Sequence, residues 1–252
     1  MGRVIVQKHT TLNPIQLIGE EAGYCWGADT TDEIKNYKRG LSCISSGHFR
    51  TTEFPQVYLV LEGYSARVIR ELYTHIGGSP TRLQASTRYI DYGNENFDYI
   101  IPHSIEDNED LKEIYTQSVV STQKDLMSLR ELGAEKEDVA NLLPLGMTTT
   151  IVLRTNARNL MDMSHQRECR RVYWEFRELF QDIKKALSEY SEEWEEFIKM
   201  TFKPKCEILG YCTEEKSCKR KPRKETIDEF ILVAKELLKK DKELYLQLKS
   251  SI

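Results

Sequence analysis

Residues 71–92 read ELYTHIGGSPTRLQASTRYIDY and bring together polar groups that suit an anionic, planar ligand. The turn at residues 77–80 frees backbone N–H groups, and the guanidinium groups of Arg82 and Arg88 can each bind a phosphate through two hydrogen bonds. Tyr89 adds a flat aromatic surface. An Arg-Tyr pair after a Gly-Pro turn is also typical of a charged surface loop, so this stretch alone leaves both interpretations open. Together with the segments around it, the stretch is predicted to form one wall of an active site.

Strand-like segments flank this stretch. Residues 55–64, PQVYLVLEGY, are largely apolar on both faces of an extended chain, which predicts a strand inside the domain. Residues 88–101 alternate around a turn and predict a hairpin that carries Arg88. Residues 147–154, MTTTIVLR, are rich in β-branched side chains and predict a further strand, and residues 4–6 form a short β-prone run.

Helical patterns fill most of the remaining chain. Capping side chains, glycines and prolines set the expected limits of these helices. The predicted helices cover residues 14–21, 31–46, 65–73, 105–132, 136–143, about 156–165, 168–187, 192–200 and a Lys/Glu-rich segment that ends near residue 249.

The bulk composition favours a globular protein that recognises its partners locally. The chain has 252 residues, of which 40% are hydrophobic, with 36 basic and 40 acidic side chains. This near balance gives no global field that would attract nucleic acid or an anionic membrane. No stretch approaches the ~20 apolar residues of a membrane span, and the apolar run in MGRVIVQKHTT is too short for a signal peptide. We therefore expect a cytoplasmic protein whose six cysteines are reduced thiols.

Three blocks of sequence follow the order and residue types of one enzyme family. The blocks are His48 with Glu53, then Ser86-Thr87-Arg88-Tyr89, then residues 156–161 followed by Arg167 and residues 173–177. In this the chain resembles the flavin-dependent thymidylate synthases, whose signature ends in Ser-x-Arg-Tyr. The similar blocks span roughly residues 1 to 205, which is far more than one short motif.

The resemblance implies a mixed α/β fold of the α+β type. Residues 1–205 would form a single domain with a central, mainly antiparallel sheet wrapped by long helices. Residues 206–252, the tail, would add a Cys-containing loop, a basic linker and a C-terminal helix. The resemblance also implies a homotetramer whose sites are shared between chains.

The same resemblance implies FAD-dependent reductive methylation of deoxyuridine monophosphate (dUMP) to thymidine monophosphate (dTMP), with methylenetetrahydrofolate and NADPH as co-substrates. Carbon 5 of uracil is a poor nucleophile, and a common solution is to add a cysteine thiolate at carbon 6. Cys25, Cys43 and Cys169 lie in apolar helical patterns and the other cysteines lie in the tail, so none suits that role. In the family the cofactors carry the chemistry and the protein orients them.

Each block of the resemblance implies a set of contacts. Gln84, Ser86 and Arg88 would hold the substrate phosphate. Arg167 would be the catalytic residue, facing the pyrimidine and stabilising charge that develops on its ring. Tyr89 would stack beside the substrate, although packing is the other interpretation of an aromatic residue here. The flavin would be bound by His48, His75, Asn156 and Arg158.

The chain also departs from the family signature. Thr74-His75-Ile76 occupies the place of the family's Arg-His-Arg run, and the Gly-Gly turn lengthens the spacer that follows. Leu83-Gln84 occupies the place of Asn-Glu. Ala140 replaces an arginine of the family, and Asp162 replaces an amide or imidazole side chain. Arg82 is expected to compensate in part. Losing two charge-assisted phosphate contacts costs roughly 1.5–3 kcal/mol each, enough to change which nucleotide binds. The alternatives are therefore a relative that acts on a different pyrimidine nucleotide, or a flavin- or nucleotide-binding protein without turnover.

The tail carries two features outside this resemblance. Cys206, Cys212 and Cys218 recur every six residues, and with Cys169 as a fourth ligand they could bind zinc. A tight CxxC pair is absent, so free thiols in a loop are the other interpretation. The basic run at residues 219–224 would favour nucleic acid, but such runs are usually solvated linkers, and no nucleic-acid partner is expected.

Overall fold

An antiparallel sheet forms the centre of the protein. The computed structural model describes residues 2–77, 80–94 and 96–250, apart from the side chains of residues 244, 245 and 247–250. Its strands are β1 (Arg3–Val6), β2 (Gln56–Ser65), β3 (Thr81–Gln84) and β4 (Thr148–Asn156). Within the described residues they form one four-stranded sheet in the order β1-β2-β4-β3. β2 and β4 pair along their whole length, with a bulge at Gly63, whose φ of 74° is accessible to glycine without strain.

One face of this sheet lies in the core, and the other is only partly covered. The buried face consists of Val57, Leu59, Leu61, Ile151 and Leu153. The alternation of side chains along a strand places Val60 and Val152 on the opposite face, where Val60 is half-buried and Val152 is 36% exposed. The predicted strand at residues 55–64 is therefore confirmed, but only one of its faces lies in the core of this chain.

Helices cover the buried face of the sheet and extend beyond it. They are α1 (Pro14–Cys25), α2 (Glu33–Ser45), α3 (Ala66–Leu72), α4 (His103–Glu106), α5 (Glu109–Glu131), α6 (Lys136–Val139), α7 (Ala157–Arg167), α8 (Trp174–Tyr190), α9 (Glu192–Thr201), α10 (Lys205–Leu209) and α11 (Lys224–Ser250), with 3₁₀ turns at Phe49–Glu53 and Ala140–Leu142. The side chains of Asp32, Ser65 and Ser191 accept hydrogen bonds from backbone N–H groups at helix starts, and Pro14 opens α1. The local capping chemistry thus sets these boundaries.

The main core lies between the sheet and helices α1, α8 and α9. Its largest fully buried side chains include Phe176, Phe180 and Trp194. A second, smaller cluster lies against α5 and contains Phe97, Val119, Leu126, Val139 and Met147. Both clusters pack against the same sheet and its flanking helices. The prediction of an α+β fold is therefore confirmed.

The predicted hairpin at residues 88–101 is wrong. The paired strand is β3, and Arg88 lies in the turn that follows it. Apart from Glu95, which lies outside the described residues, residues 88–101 contain one isolated bridge, from Tyr99 to Met147. Asp91 instead accepts hydrogen bonds from Arg130 of α5 at 3.1 and 2.9 Å, so contacts with α5 replace strand pairing.

One helix boundary also differs from the sequence prediction. The predicted helix at residues 168–187 begins at Trp174, because residues 169–173 turn the chain between α7 and α8 so that both helices pack on the core. The Gly-Gly turn is described only in part, since Gly78 and Ser79 lie outside the described residues.

The tail contains α10, a loop and α11. Cys212 forms an isolated bridge with Arg223, and its N–H donates to the Pro222 carbonyl at 2.7 Å. Helix α10 begins at Lys205 and so crosses the predicted domain boundary between residues 205 and 206. The division of the chain into two parts at this point stays a prediction. Among the described residues, no helix combines the length and apolar character needed to cross a membrane.

Candidate active site

The Arg88 group, which comprises Gln84, Ser86, Arg88 and Tyr89, follows the edge strand β3. The Ala85 N–H donates to the Thr150 carbonyl at 2.8 Å, which extends the pairing to β4 by one residue. Ser86 then fixes the turn, since its hydroxyl accepts the Arg88 N–H at 3.2 Å and its carbonyl accepts the Ile90 N–H at 3.1 Å. The turn thereby presents the Arg88 side chain at the surface.

Helix α6 supplies charged neighbours to the Arg88 group that the sequence did not reveal. Arg88 Nε lies 3.1 Å from Glu137 Oε2, and both side chains are exposed. Lys136 Nζ donates to the Tyr89 carbonyl at 3.4 Å, while the Tyr89 side chain is 82% exposed. An exposed ion pair contributes about 0.2–1 kcal/mol, so a phosphate can displace Glu137 from Arg88.

The Arg167 group, which comprises Glu71, Thr74, His75 and Arg167, joins the end of α3 to the end of α7. Arg167 Nε donates to His75 Nε2 at 2.8 Å, Nη1 lies 3.2 Å from Glu71 Oε2, and Nη2 donates to Thr74 Oγ1 at 3.4 Å. The guanidinium also lies 4.4 Å from the centre of the Phe176 ring. Four contacts therefore fix its orientation.

His75 is the buried member of this group. The side chain is 9% exposed, and burial, followed by the charges of Arg167 and Arg82, lowers its pKa from 6.5 to about 4. Burial also lowers the pKa of Arg167, against the opposing effect of Glu71. A guanidinium stays protonated in proteins, whereas His75 is neutral at pH 7 and accepts the hydrogen bond through its Nε2 lone pair.

Arg82 contacts the backbone of the Arg167 group. Its guanidinium donates to the carbonyls of Tyr73 and His75 and lies 5.0 Å from the centre of the Tyr73 ring. These contacts direct the side chain toward the backbone of the Arg167 group. Arg82 therefore orders the residues around His75, and its expected contribution to phosphate binding stays a prediction.

The Arg158 group, which comprises His48, Asn156, Arg158 and Asp162, surrounds the start of α7. Arg158 Nε lies 2.8 Å from Asp162 Oδ2, and its guanidinium lies 5.8 Å from the centre of the Phe49 ring. His48 is exposed next to Phe49, whereas Asn156 is buried and its side-chain oxygen caps α7 by accepting the Asn159 N–H at 2.9 Å. Among the predicted flavin ligands, His48 and Arg158 are accessible, whereas Asn156 and His75 are buried.

The loop before β3 approaches this group closely. A Cβ atom at Gly77 would lie 3.1 Å from Asn159 Oδ1, so a larger residue would fill the space beside the first turn of α7. Among the described contacts, none joins Arg88 to Arg167. The structure thus brings Glu71, Thr74 and His75 into contact with Arg167 and pairs Arg158 with Asp162. The predicted metal ligands Cys169, Cys206, Cys212 and Cys218 line a cavity that Asp162 also lines.

Comparison with known proteins gives the family of this chain. Residues 7–191 match the family model described as thymidylate synthase complementing protein. Two relatives are named flavin-dependent thymidylate synthase: that of Nitratidesulfovibrio vulgaris is 29% identical over 215 residues, covering 80% of this chain and 84% of the relative, and that of Pyrococcus abyssi is 31% identical over 171 residues, covering 67% and 69%.

A solved structure shows the same fold. It is the flavin-dependent thymidylate synthase of Helicobacter pylori in complex with FAD and dUMP, with a TM-score of 0.61, 20% sequence identity, and coverage of 77% of this chain and 98% of that chain. The match of the family model includes the Arg88, Arg167 and Arg158 groups and extends over more than two thirds of the sequence. The chain therefore belongs to the thymidylate synthase complementing protein family.

Proposed function

We propose that this protein is a flavin-dependent thymidylate synthase that converts dUMP to dTMP with methylenetetrahydrofolate and NADPH. The observation that carries the proposal is the family match over residues 7–191, which contains all three groups of the candidate site. We place the reaction in the cytoplasm, a reducing compartment that suits the free thiols of the six cysteines.

The accessible part of the Arg158 group fits an anionic dinucleotide such as FAD. Arg158 supplies a half-buried guanidinium and His48 an exposed imidazole. FAD, when bound, would supply the redox chemistry of the methyl transfer. We assign direct flavin contacts to His48 and Arg158, and a supporting role to Asn156, whose capping bond orders the start of α7.

Arg167 would act on the pyrimidine ring. Its contacts with His75, Glu71 and Thr74 hold the guanidinium in one orientation before substrate binds, so no ordering cost falls on the reaction step. Because His75 is neutral, it orients Arg167 without adding a charge that would repel it. The positive charge of Arg167 would then stabilise negative charge that develops on the ring.

Arg88 and Ser86 would bind the phosphate of dUMP, and a second chain would complete the site. The family resemblance supports a homotetramer in which different chains supply Arg88 and Arg167. The sheet face that carries Val152 is only partly covered, and Leu83 of β3 is 70% exposed, which offers apolar surface for association. This arrangement accounts for two half-sites in one chain.

A different pyrimidine nucleotide is the second candidate substrate. The favouring observation is that Arg88 already pairs with Glu137, while Ala140 at the adjacent 3₁₀ turn offers no cation. Competition of dUMP, deoxycytidine monophosphate and dTMP for the flavin-loaded protein distinguishes the candidates. The proposal requires that dUMP bind more tightly than deoxycytidine monophosphate.

Flavin binding by two matched variants tests the assignment of the cofactor site. Arg158 and Lys185 each form an i,i+4 ion pair on a helix, at 2.8 and 4.0 Å respectively, but only Arg158 lies at the candidate site. Arg158→Ala should weaken FAD binding by tenfold or more, since a hydrogen bond to a charged group contributes about 1.5–3 kcal/mol. Lys185→Ala should leave it unchanged. Folded wild-type protein that binds no FAD would overturn the proposal.

A further inference from the structure

Four cysteines from distant parts of the chain line one cavity between α7 and the tail. Cys169 follows α7, Cys206 lies in α10, and Cys212 and Cys218 lie in the loop before α11. The cavity has a volume of about 940 Å³. All four are free thiols, and all except the buried Cys212 are half-buried. The cavity adjoins the Arg158 group, since Asp162 also lines it, but none of the four cysteines belongs to the three groups of the candidate active site.

The loop between α10 and α11 is held by polar contacts and has no apolar core of its own. Its residues 210–223 read GYCTEEKSCKRKPR, which contains few side chains that could bury apolar surface. The loop is anchored by polar contacts, as where Arg171 Nη1 donates to the Lys216 carbonyl at 2.7 Å. Ligation of its cysteines to a metal centre would add a further constraint to this loop.

The backbone next to Cys218 also has an unfavourable conformation. Lys219 has a φ of 66°, in the left-handed region that costs a residue with a Cβ atom roughly 1–2 kcal/mol. Such conformations persist only where the surrounding structure over-determines them. Ligation of Cys218 would supply a constraint of that kind at the adjacent residue.

The charges around the cavity suit a negatively charged thiolate centre. Basic side chains line it, namely Arg170, Arg171, Lys205, Arg220 and Lys221. Glu214 and Glu207 neutralise part of this charge through ion pairs with Arg171 and Arg220.

The arrangement differs from that of a zinc site. A zinc ion holds four sulfur atoms at about 2.3 Å in a tetrahedron, yet the described residues contain no group of three or more His, Cys, Asp or Glu side chains that could hold a single metal ion as they stand. An iron–sulfur cluster keeps its cysteines further apart, because iron and sulfide atoms lie between them. A single zinc ion stays the alternative that metal analysis distinguishes from a cluster.

We propose that Cys169, Cys206, Cys212 and Cys218 ligate an iron–sulfur cluster that fastens the tail to the end of α7. The role is structural: the cluster joins a loop without a core to a helix that carries Arg167. The ligand set is four thiolates, as in most clusters of this kind.

The test is metal analysis of full-length protein produced with ample iron and purified without oxygen or chelator. Iron and acid-labile sulfide should each reach about two or four per chain, and the reduced protein should give the paramagnetic resonance signal of a cluster. Flavin is quantified separately after extraction, because it also absorbs visible light. Less than about a tenth of an equivalent of iron, or one zinc per chain without iron, would overturn the proposal.

Two serine variants and a control locate the site. Cys212→Ser and Cys218→Ser should lose most of the iron, whereas Cys25→Ser, at an exposed cysteine of α1 outside the cavity, should keep it. Circular dichroism and flavin content show whether the core of each variant is folded. Should either cavity variant be folded and retain full iron, these cysteines would not be its ligands.

Discussion

Lowering the pH from 8 to 5 is expected to destabilise this protein by about 2 kcal/mol through His75 alone. The folded-state pKa of His75 is lowered to about 4 from its ordinary 6.5, chiefly by burial. Because the unfolded chain binds the proton more readily, the contribution of His75 is fully present above pH 6.5 and is lost as the pH falls toward 4. One pKa unit corresponds to 1.36 kcal/mol, so the full loss is about 3 kcal/mol, of which about 2 is reached by pH 5.

His75→Gln isolates this contribution. A glutamine amide can accept the hydrogen bond from Arg167 near the position of Nε2, and it does not titrate. Free energies of unfolding are measured by chemical denaturation at pH 8 and pH 5, at one protein concentration and without added ligands. The matched control is His103→Gln, because His103 is an exposed imidazole that stacks on Trp174 at 3.9 Å.

The expected result is a difference between variants. The loss of stability between pH 8 and pH 5 should be about 2 kcal/mol smaller in His75→Gln than in wild type, and unchanged in His103→Gln. The half-buried His165, whose pKa burial also lowers, is present in all three proteins, so its contribution cancels in the comparison. If His75→Gln shows the same pH dependence as wild type, His75 is not the buried neutral acceptor described above.

Two further predictions concern the arginines of the site. Glu137→Gln should tighten binding of dUMP by up to about fivefold, because it releases Arg88 from an exposed ion pair that contributes about 0.2–1 kcal/mol. Binding is measured by calorimetry. Unchanged or weaker binding would place Arg88 outside the phosphate site. Arg88→Ala should mainly weaken nucleotide binding, by about 1.5–3 kcal/mol, whereas Arg167→Ala should mainly lower turnover. Mixing these two variants under conditions of subunit exchange should restore part of the activity. If mass spectrometry verifies the exchange and activity still does not recover, one chain supplies both arginines.

Much of the fold could be predicted because local patterns match the tertiary contacts. The alternation in residues 55–64 and the β-branched run at residues 147–154 correspond to β2 and β4, and the caps at Asp32 and Ser65 mark helix starts. The segment at residues 88–101 also alternates, but Asp91 is held by Arg130, some forty residues further along the chain. Contacts at that separation leave no local pattern, so the hairpin prediction failed.

The candidate site was predictable by family resemblance and not by spacing. The resemblance supplied the roles of Arg88, Arg158 and Arg167. The contact between Arg167 and His75 joins side chains 92 positions apart, and only the structure shows that it makes His75 a buried acceptor. Glu137 was also missed, because a charged residue on a short helix carries no signal of the side chain it will face.

Release of tritium from dUMP labelled at carbon 5 tests the central claim most directly, because replacing that hydrogen is the defining step of the proposed reaction. With FAD, NADPH and methylenetetrahydrofolate all present, the wild-type protein should release tritium, and omitting any one of them from protein stripped of flavin should abolish the release. Release that persists without flavin, or its absence with folded, flavin-loaded protein, would contradict the assignment.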